Sequence, residues 1–325
     1  MKIGILVGRE GTFPQALISE INGRNTPAKA EYIKLGGVRM AEASPYDTIV
    51  DRISHEVPFY RAYLKSAVLG GAKVINNPFW WNADDKFFNY SLATYLGIAI
   101  PKTILLPQKE YKEGVVSESL RNLEYPLDWD GIIDHIGFPA FIKPFDGGGW
   151  RGVSRVNNRQ ELMEKYDASG TDCMVLQEYV PFTHYVRSYC IGKKDVCPMP
   201  YDPIFQRYLV VDNYLDPEMD ARVRRETIQI NEALGYDINT VEFAIKDNIP
   251  YAIDFMNPAP DAELASVGEF YHNWIVNAVI DLVFKRLAED RERPRYRWDA
   301  LLNPEPVQQA QPTKKPASKR KSSHG

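Results

Sequence analysis

Three stretches of the sequence place charged residues and glycines where phosphate chemistry could be done. The first is Phe138-Pro139-Ala140-Phe141-Ile142-Lys143-Pro144-Phe145-Asp146-Gly147-Gly148-Gly149-Trp150-Arg151-Gly152-Val153. It reads as a buried strand that delivers Lys143 at its end, a glycine-rich loop, and a second strand. Glycines let backbone N–H groups turn inward and approach an anion closely, and a lysine beside them supplies a point charge for phosphate. No Gly-Lys-Ser/Thr opens a helix here, so this is not a P-loop; the competing reading is a hairpin with a glycine tip. The second stretch is Met174-Val175-Leu176-Gln177-Glu178-Tyr179-Val180. Such an edge can offer backbone N–H and C=O groups to an adenine between apolar side chains, although taken alone an ordinary half-buried strand is the stronger reading.

The third stretch is Val241-Glu242-Phe243-Ala244-Ile245, the turn Lys246-Asp247-Asn248, and Tyr251-Ala252-Ile253-Asp254-Phe255-Met256-Asn257-Pro258. A hairpin closed at Asp247-Asn248 sets Glu242 nearly opposite Asp254. Two buried like charges side by side are costly unless a cation lies between them. Two carboxylates and an amide form an oxygen-only donor set, which suits Mg²⁺. The competing reading turns one of the acids to solvent.

Composition narrows the classes. The chain has 325 residues, a net charge of −4, 44% hydrophobic and 25% charged residues, which is globular rather than disordered or collagen-like and not that of a generic polyanion binder. The length suggests about two domains. No run of about 18 apolar residues is present, so no membrane span is expected. Met1 to Gly11 is too short in its apolar part for a signal peptide and reads as a first strand and loop. Three cysteines without CxxC spacing and five scattered histidines argue for reduced thiols in a cytoplasmic protein. They also argue against a zinc hydrolase, and the lack of G-x-S-x-G against a serine hydrolase of that type.

The elements that must position these residues follow from periodicity. Strands are expected at 2–7, 31–35, 48–53 and 73–75, alternating with helices at 13–21 and 58–69, which implies an open parallel α/β sheet. Gly8 and Gly11 follow the first strand as a plain strand-to-helix turn. A helix capped by Asn82 or Asp84 runs to Leu96 and ends at Gly97. A strand at 102–106, a polar connector at 108–130 and a short helix at 131–136 follow. Closely spaced strands at 140–143, 152–156, 173–180, 185–191, 196–200, 205–211, 240–245 and 251–255 read as antiparallel sheet, with helices at 217–234 and 262–288. The tail from 303 is rich in Pro, Gln, Ser and Lys and is expected to be disordered.

The three stretches, in this order, resemble the ATP-grasp superfamily, and within it the ribosomal-protein glutamate ligase and glutathione synthetase branch, with D-alanine–D-alanine ligase a more distant cousin. The resemblance spans about 48–287 and includes Asp85-Lys86 followed by Gly97-Ile98-Ala99-Ile100-Pro101-Lys102-Thr103. It implies an α/β fold with an N-terminal open parallel domain at 1–105 and an ATP-grasp domain at 106–300. The latter would have a lid lobe at about 130–180 and a C-terminal lobe at about 181–290, clasping the nucleotide, followed by a basic tail at 301–325. It implies that Lys86 and Lys143 hold the α/β phosphates and that Gly147, Gly148 and Gly149 form the lid loop. Gln177, Glu178, Tyr179 and Val180 would be the adenine hinge, with Glu178 accepting from the adenine amino group. Glu242, Asp254 and Asn257 would be ligands for Mg²⁺, or Mn²⁺ in its place, and Arg187 would face phosphate or the acyl intermediate. The implied cofactor is ATP, and the implied reaction joins a small-molecule carboxylate to an amine, amino acids or a peptide among them, through an acylphosphate.

The sequence departs from that pattern in two places. Asp254 and Asn257 are three apart, with Phe255 where relatives carry an acid, so the two share a face only at a bulge or a strand end. Tyr185 stands where relatives often carry an acid for the ribose. The first departure leaves a nucleotide-binding regulator without catalysis as the alternative function. Trp150 in the lid loop is expected near substrate, while Trp80 and Trp81 read as packing. Arg52 and His55, at a strand end facing a ligand crevice, read as structural before substrate-binding. The five basic residues Lys314, Lys315, Lys319, Arg320 and Lys321 suit a solubilising tail before a nucleic-acid contact. Nothing in the sequence sets an oligomeric state.

Overall fold

Short apolar runs near the N-terminus become β1 (Lys2–Leu6), β2 (Lys29–Tyr32), β3 (Thr48–Asp51) and β4 (Lys73–Ile75), joined through helices α1 (Thr12–Gly23) and α2 (Pro58–Leu69). The strands pair in parallel in the order β2-β1-β3-β4. The computed structural model describes residues 1–79, 85–146, 148–149 and 151–289, and Met1–Asp290 form one compact unit. Gly147, Trp80, Trp81, Asn82, Asp84, Trp150 and the tail lie outside the described residues. β2 is found two residues earlier than the spacing suggests, because its register with β1 begins at Lys2 opposite Lys29.

Helix α3 (Lys86–Tyr95) starts at an Asp85 cap whose carboxylate accepts from the Phe88 N–H. Next come β5 (Thr103–Leu106), α4 (Trp129–Ile136), β6 (Ala140–Pro144), β7 (Ser154–Val156), α5 (Arg159–Asp167) and β8 (Met174–Glu178). These strands form an antiparallel sheet in the order β5-β8-β6-β7; β5 therefore pairs with β8, not with the N-terminal sheet. Helix α5 was not expected from the sequence. It buries only Leu162 and Tyr166, one turn apart, too few apolar positions for a periodic signal. Its readable mark is the cap: Asn158 accepts from the Glu161 N–H at 2.9 Å and donates back to the Glu161 carboxylate at 2.8 Å.

The third sheet contains β9 (His184–Ile191), β10 (Asp195–Asp202), β11 (Arg207–Tyr208), β12 (Ile238–Lys246) and β13 (Ile249–Asp254), with α6 (Pro217–Leu234) and α7 (Leu264–Ala288). It is antiparallel in the order β11-β10-β9-β12-β13. Helix α6 has its bounds written in the sequence: Asp216 accepts from the N–H groups of Glu218 and Met219, Pro217 sits at the first position, and Gly235 closes it with φ 81°. The strand expected over 205–211 is only Arg207–Tyr208, because residues 203–206 form the turn that returns the chain to β10.

Helix α7 joins the first and third sheets. One core contains Ile3, Phe13 and Leu17 from the N-terminal layer, Tyr189 and Ile238 from the third sheet, and Ile275, Val279 and Val283 from α7. Just ahead of α7, the Glu263 carboxylate accepts from the backbone N–H groups of Gly11, Thr12 and Phe13 at 3.0, 3.1 and 3.1 Å and from the Thr12 hydroxyl at 2.9 Å. It thus occupies the anion-binding end of α1. These contacts outweigh the effect of its own partial burial and hold its pKa below the ordinary value. The turn at Gly8 and Gly11 is accordingly a helix start already filled by the protein's own carboxylate. At the other end, the Lys73 ammonium donates to the carbonyls of Arg286 and Glu289.

A second clamp is Asn76, 1% exposed. Its amide nitrogen donates to the carbonyls of Ile238 and Pro258 at 2.7 and 2.8 Å, and its oxygen accepts from the N–H groups of Asp237 and Ile238 at 2.6 and 2.7 Å. One side chain thus ties the end of β4 to the start of β12 and to the segment after Asn257. Asn76→Ala strands these buried backbone groups and should lower unfolding stability by about 3 kcal/mol, measured by urea denaturation. A loss below about 1 kcal/mol, the net worth of a single hydrogen bond, would show that Asn76 is not a clamp.

Candidate active site

Alternation along β9 puts Tyr185 and Arg187 on one face, and the register of β9 with β12 places Glu242 opposite Arg187. The Arg187 guanidinium donates to Glu242 Oε1 at 2.7 Å, and the Tyr185 hydroxyl donates to Oε2. The guanidinium also lies 4.1 Å from the centre of the Tyr201 ring and donates to the Tyr208 hydroxyl at 3.3 Å. Asp254 is opposite Glu242, as the hairpin reading requires, with a register shift at Glu242/Phe243. Both Asp254 oxygens lie 3.0 Å from the Lys86 ammonium, which is 4% exposed at the first residue of α3. Burial acts to raise the Asp254 pKa, but Lys86 and Lys143 outweigh it and hold the carboxyl below its ordinary value.

Lys143, near the end of β6, donates to Gln177 Oε1 at 2.8 Å and to the Ile253 carbonyl at 3.2 Å, and its ammonium lies 5.2 Å from the centre of the Tyr90 ring. Burial pushes its pKa down to about 8; Lys86 adds to the shift, and Asp254 and Glu242 oppose it. The Lys86 N–H donates to the Phe145 carbonyl at 2.7 Å, so the start of α3 and the start of the glycine loop are one connected unit. Gln177 donates its amide to the Thr103 hydroxyl at 3.0 Å, which fixes the oxygen that receives Lys143.

Lys143, Gly148, Gly149, Gln177, Arg187, Glu242, Asp254 and Asn257 line one cavity of about 950 Å³. Lys86 joins it through Asp254. Asn257 donates its amide nitrogen to the Thr240 carbonyl at 3.1 Å, leaving the amide oxygen as its free end. Phe255 supplies no ligand to the cavity. Strand β13 ends at Asp254, and Phe255 drops into the core, its ring 5.6 Å from that of Tyr90. Among the described residues no group of three His, Cys, Asp or Glu side chains is placed to hold a metal. The available set is two carboxylates and an amide oxygen, hard ligands that fit Mg²⁺ or Mn²⁺ and suit few protein contacts.

The hinge residues beyond Gln177 do not line this cavity. Glu178 accepts through its carboxylate from the Lys102 N–H at 3.2 Å, and the Tyr179 N–H donates to the Pro139 carbonyl at 3.3 Å. Val180 is buried with Tyr185 and Tyr201. On the N-terminal wall Arg52 lines the cavity, and its guanidinium pairs with Glu10, donates to the Pro260 carbonyl and lies 5.0 Å from the centre of the Phe13 ring. Burial pushes the pKa of His55 down. Two residues with evident local roles carried no such signal in the sequence: Tyr90, under Lys143, and Tyr185, on Glu242. Only the Tyr185-x-Arg187 spacing opposite an acid could have revealed the latter.

No protein-family model matches the chain, and no curated protein sequence matches it. Solved structures do. D-alanine–D-alanine ligase from Bacillus anthracis, complexed with ATP, aligns at TM-score 0.62 and 18% identity over 91% of this chain and 100% of that one. A RimK domain ATP-grasp protein from Sphaerobacter thermophilus aligns at 0.64 and 16%, over 87% and 100%. The ATP-grasp ligase PsnB, complexed with precursor peptide PsnA2 and AMPPNP, aligns at 0.56 and 13%, over 87% and 96%. The chain thus has the fold of these ATP-grasp proteins.

Proposed function

We propose that the protein is a Mg-ATP-dependent carboxylate–amine ligase. The observation that carries this reading is the convergence of Lys143, Arg187, Glu242, Asp254 and Asn257 on one cavity bordered by Gly148 and Gly149, with Lys86 paired to Asp254 behind it. Lys86 and Lys143 bind the α/β phosphates, and the loop at Gly147, Gly148 and Gly149 covers them. Gln177 borders the cavity and sets the direction of the Lys143 ammonium. Glu242, Asp254 and Asn257 hold the divalent ion, which supplies charge neutralisation on the phosphate oxygens.

The chemistry needs no protein nucleophile. An oxygen of the substrate carboxylate bonds to the γ-phosphorus as the bond to the ADP oxygen breaks. The amine nitrogen then bonds to the acyl carbon, phosphate leaves with the C–O bond electrons, and the amine gives up a proton. Arg187 faces the transferred phosphoryl group. Catalysis is positioning and charge stabilisation by side chains already fixed in place. The substrates are small carboxylates and amines, with amino acids or a peptide as the class to try first; the neighbours include an amino-acid ligase and a ligase complexed with a peptide. The alternative is a nucleotide-binding regulator without catalysis, because Phe255 stands where a further metal-binding acid is expected.

Purified protein with Mg-ATP and pools of amino acids, peptides and carboxylic acids should release ADP and phosphate in at least one pool. Nucleotide binding with no turnover in any pool would favour the regulator, and absence of nucleotide binding would end both readings. Lys143→Met should weaken ADP affinity by about tenfold or more. Because the free Lys143 ammonium loses its proton near pH 8 and phosphate favours the protonated form, ADP affinity should fall as pH rises above about 8. The fall should approach tenfold per pH unit at most, and Lys143→Met should flatten that profile in calorimetric titrations. An unchanged affinity in the variant would remove Lys143 from the site.

A further inference from the structure

Glu242 is fully engaged in this structure. Arg187 holds Oε1 at 2.7 Å, and the Tyr185 hydroxyl holds Oε2. A divalent ion approaching this carboxylate meets a guanidinium charge already in place. The two partners differ in their freedom to leave. Tyr185 is 3% exposed, with its ring 5.3 Å from Phe182 and 6.0 Å from Tyr201. Arg187 is a long side chain, 17% exposed, on the cavity wall, and apart from Glu242 its partners among the described residues are neutral groups, the Tyr201 ring and the Tyr208 hydroxyl.

We propose that Arg187 is a removable lock on Glu242 and that Tyr185 is the positioning residue that keeps the carboxylate aimed once the lock opens. This rests on the reading of Glu242 as a metal ligand and of Arg187 as a phosphate-facing group. Anionic phosphate draws the guanidinium off Oε1, Tyr185 keeps hold of Oε2, and Oε1 is presented to the metal. Metal and nucleotide then favour each other's binding by the same factor. Lys86 on Asp254 acts in the same sense, since its ammonium lies 3.0 Å from both oxygens. The protein without nucleotide is thereby kept from collecting divalent ions in its charged cavity.

The test is Mn²⁺ binding to the full-length protein, followed by electron paramagnetic resonance of the free ion, without nucleotide. Arg187→Met leaves Glu242 without its countercharge and should raise Mn²⁺ affinity by about tenfold or more over the unaltered protein. Tyr185→Phe keeps the lock, so its affinity without nucleotide should stay within about twofold, while with saturating ADP its Mn²⁺ affinity should fall about threefold or more. Thermal melts establish that each variant is folded, and Arg187→Gln serves if Arg187→Met is not. A folded Arg187 variant that binds Mn²⁺ no more tightly than the unaltered protein overturns the lock. A Tyr185→Phe protein whose Mn²⁺ affinity with ADP is unchanged overturns the positioning role. Failure of the unaltered protein to bind ADP would instead end the nucleotide reading, and the Arg187 comparison, made without nucleotide, still decides the lock.

Discussion

Lys86 with Asp254, and Arg187 with Glu242, are two ion pairs whose carboxylates line one cavity. Each is tolerable only as a pair: removing one member of a buried pair strands a charge at a cost of about 3–5 kcal/mol. Lys143 is the unmatched fifth charge. It faces a neutral amide oxygen, a carbonyl and an aromatic ring instead of a carboxylate of its own, and burial lowers its pKa to about 8. Within this group of five, three cationic side chains face two carboxylates, and the group's surplus is positive. An anionic ligand relieves that surplus; a divalent cation alone aggravates it. The proposed binding of a phosphate chain together with its metal suits this arrangement of charges.

Such an arrangement needs stiff supports. Arg187, Glu242 and Asp254 come from three neighbouring strands, so their spacing is set by backbone hydrogen bonds rather than by loops. The register shift and the end of β13 turn Asp254 and Asn257 toward the same cavity while Phe255 fills the core. Asn76 anchors the segment after Asn257 to the N-terminal sheet, and Glu263 closes the start of α1 from the residue before α7. The parts that complete the cavity from the N-terminal side are thus fastened at both ends of α7. The glycine loop is tied at its base through the Lys86 N–H to Phe145, so the two lysines reach the cavity from a shared platform.

Where local chemistry decides, the sequence was readable. Asp216, Pro217 and Gly235 mark α6 to the residue, and the Asp247-Asn248 turn predicts the Glu242–Asp254 pairing, with both turn residues adopting positive φ, 51° and 59°. The order of strand lysine, glycine loop and paired acids carried the fold. Where distant segments decide, it was not readable. The cap on α1 is filled by Glu263 from the far end of the chain, and Arg52 is neutralised by Glu10 and bound by the Pro260 carbonyl. Glu178 reads as a free acceptor in the sequence, yet it spends its carboxylate on the Lys102 N–H. Tyr185, read only as a missing acid, holds one oxygen of the carboxylate that the sequence assigned to metal.

The most direct measurement is a crystal structure of the protein with Mg²⁺ and a non-hydrolysable ATP analogue. The expected result has the phosphates against Lys86 and Lys143, with the Lys86–Asp254 and Arg187–Glu242 pairs exchanged for phosphate and metal contacts. Tyr185 should still donate to Glu242. A nucleotide bound elsewhere, or one bound here with both ion pairs intact and no metal on Glu242 or Asp254, would contradict it.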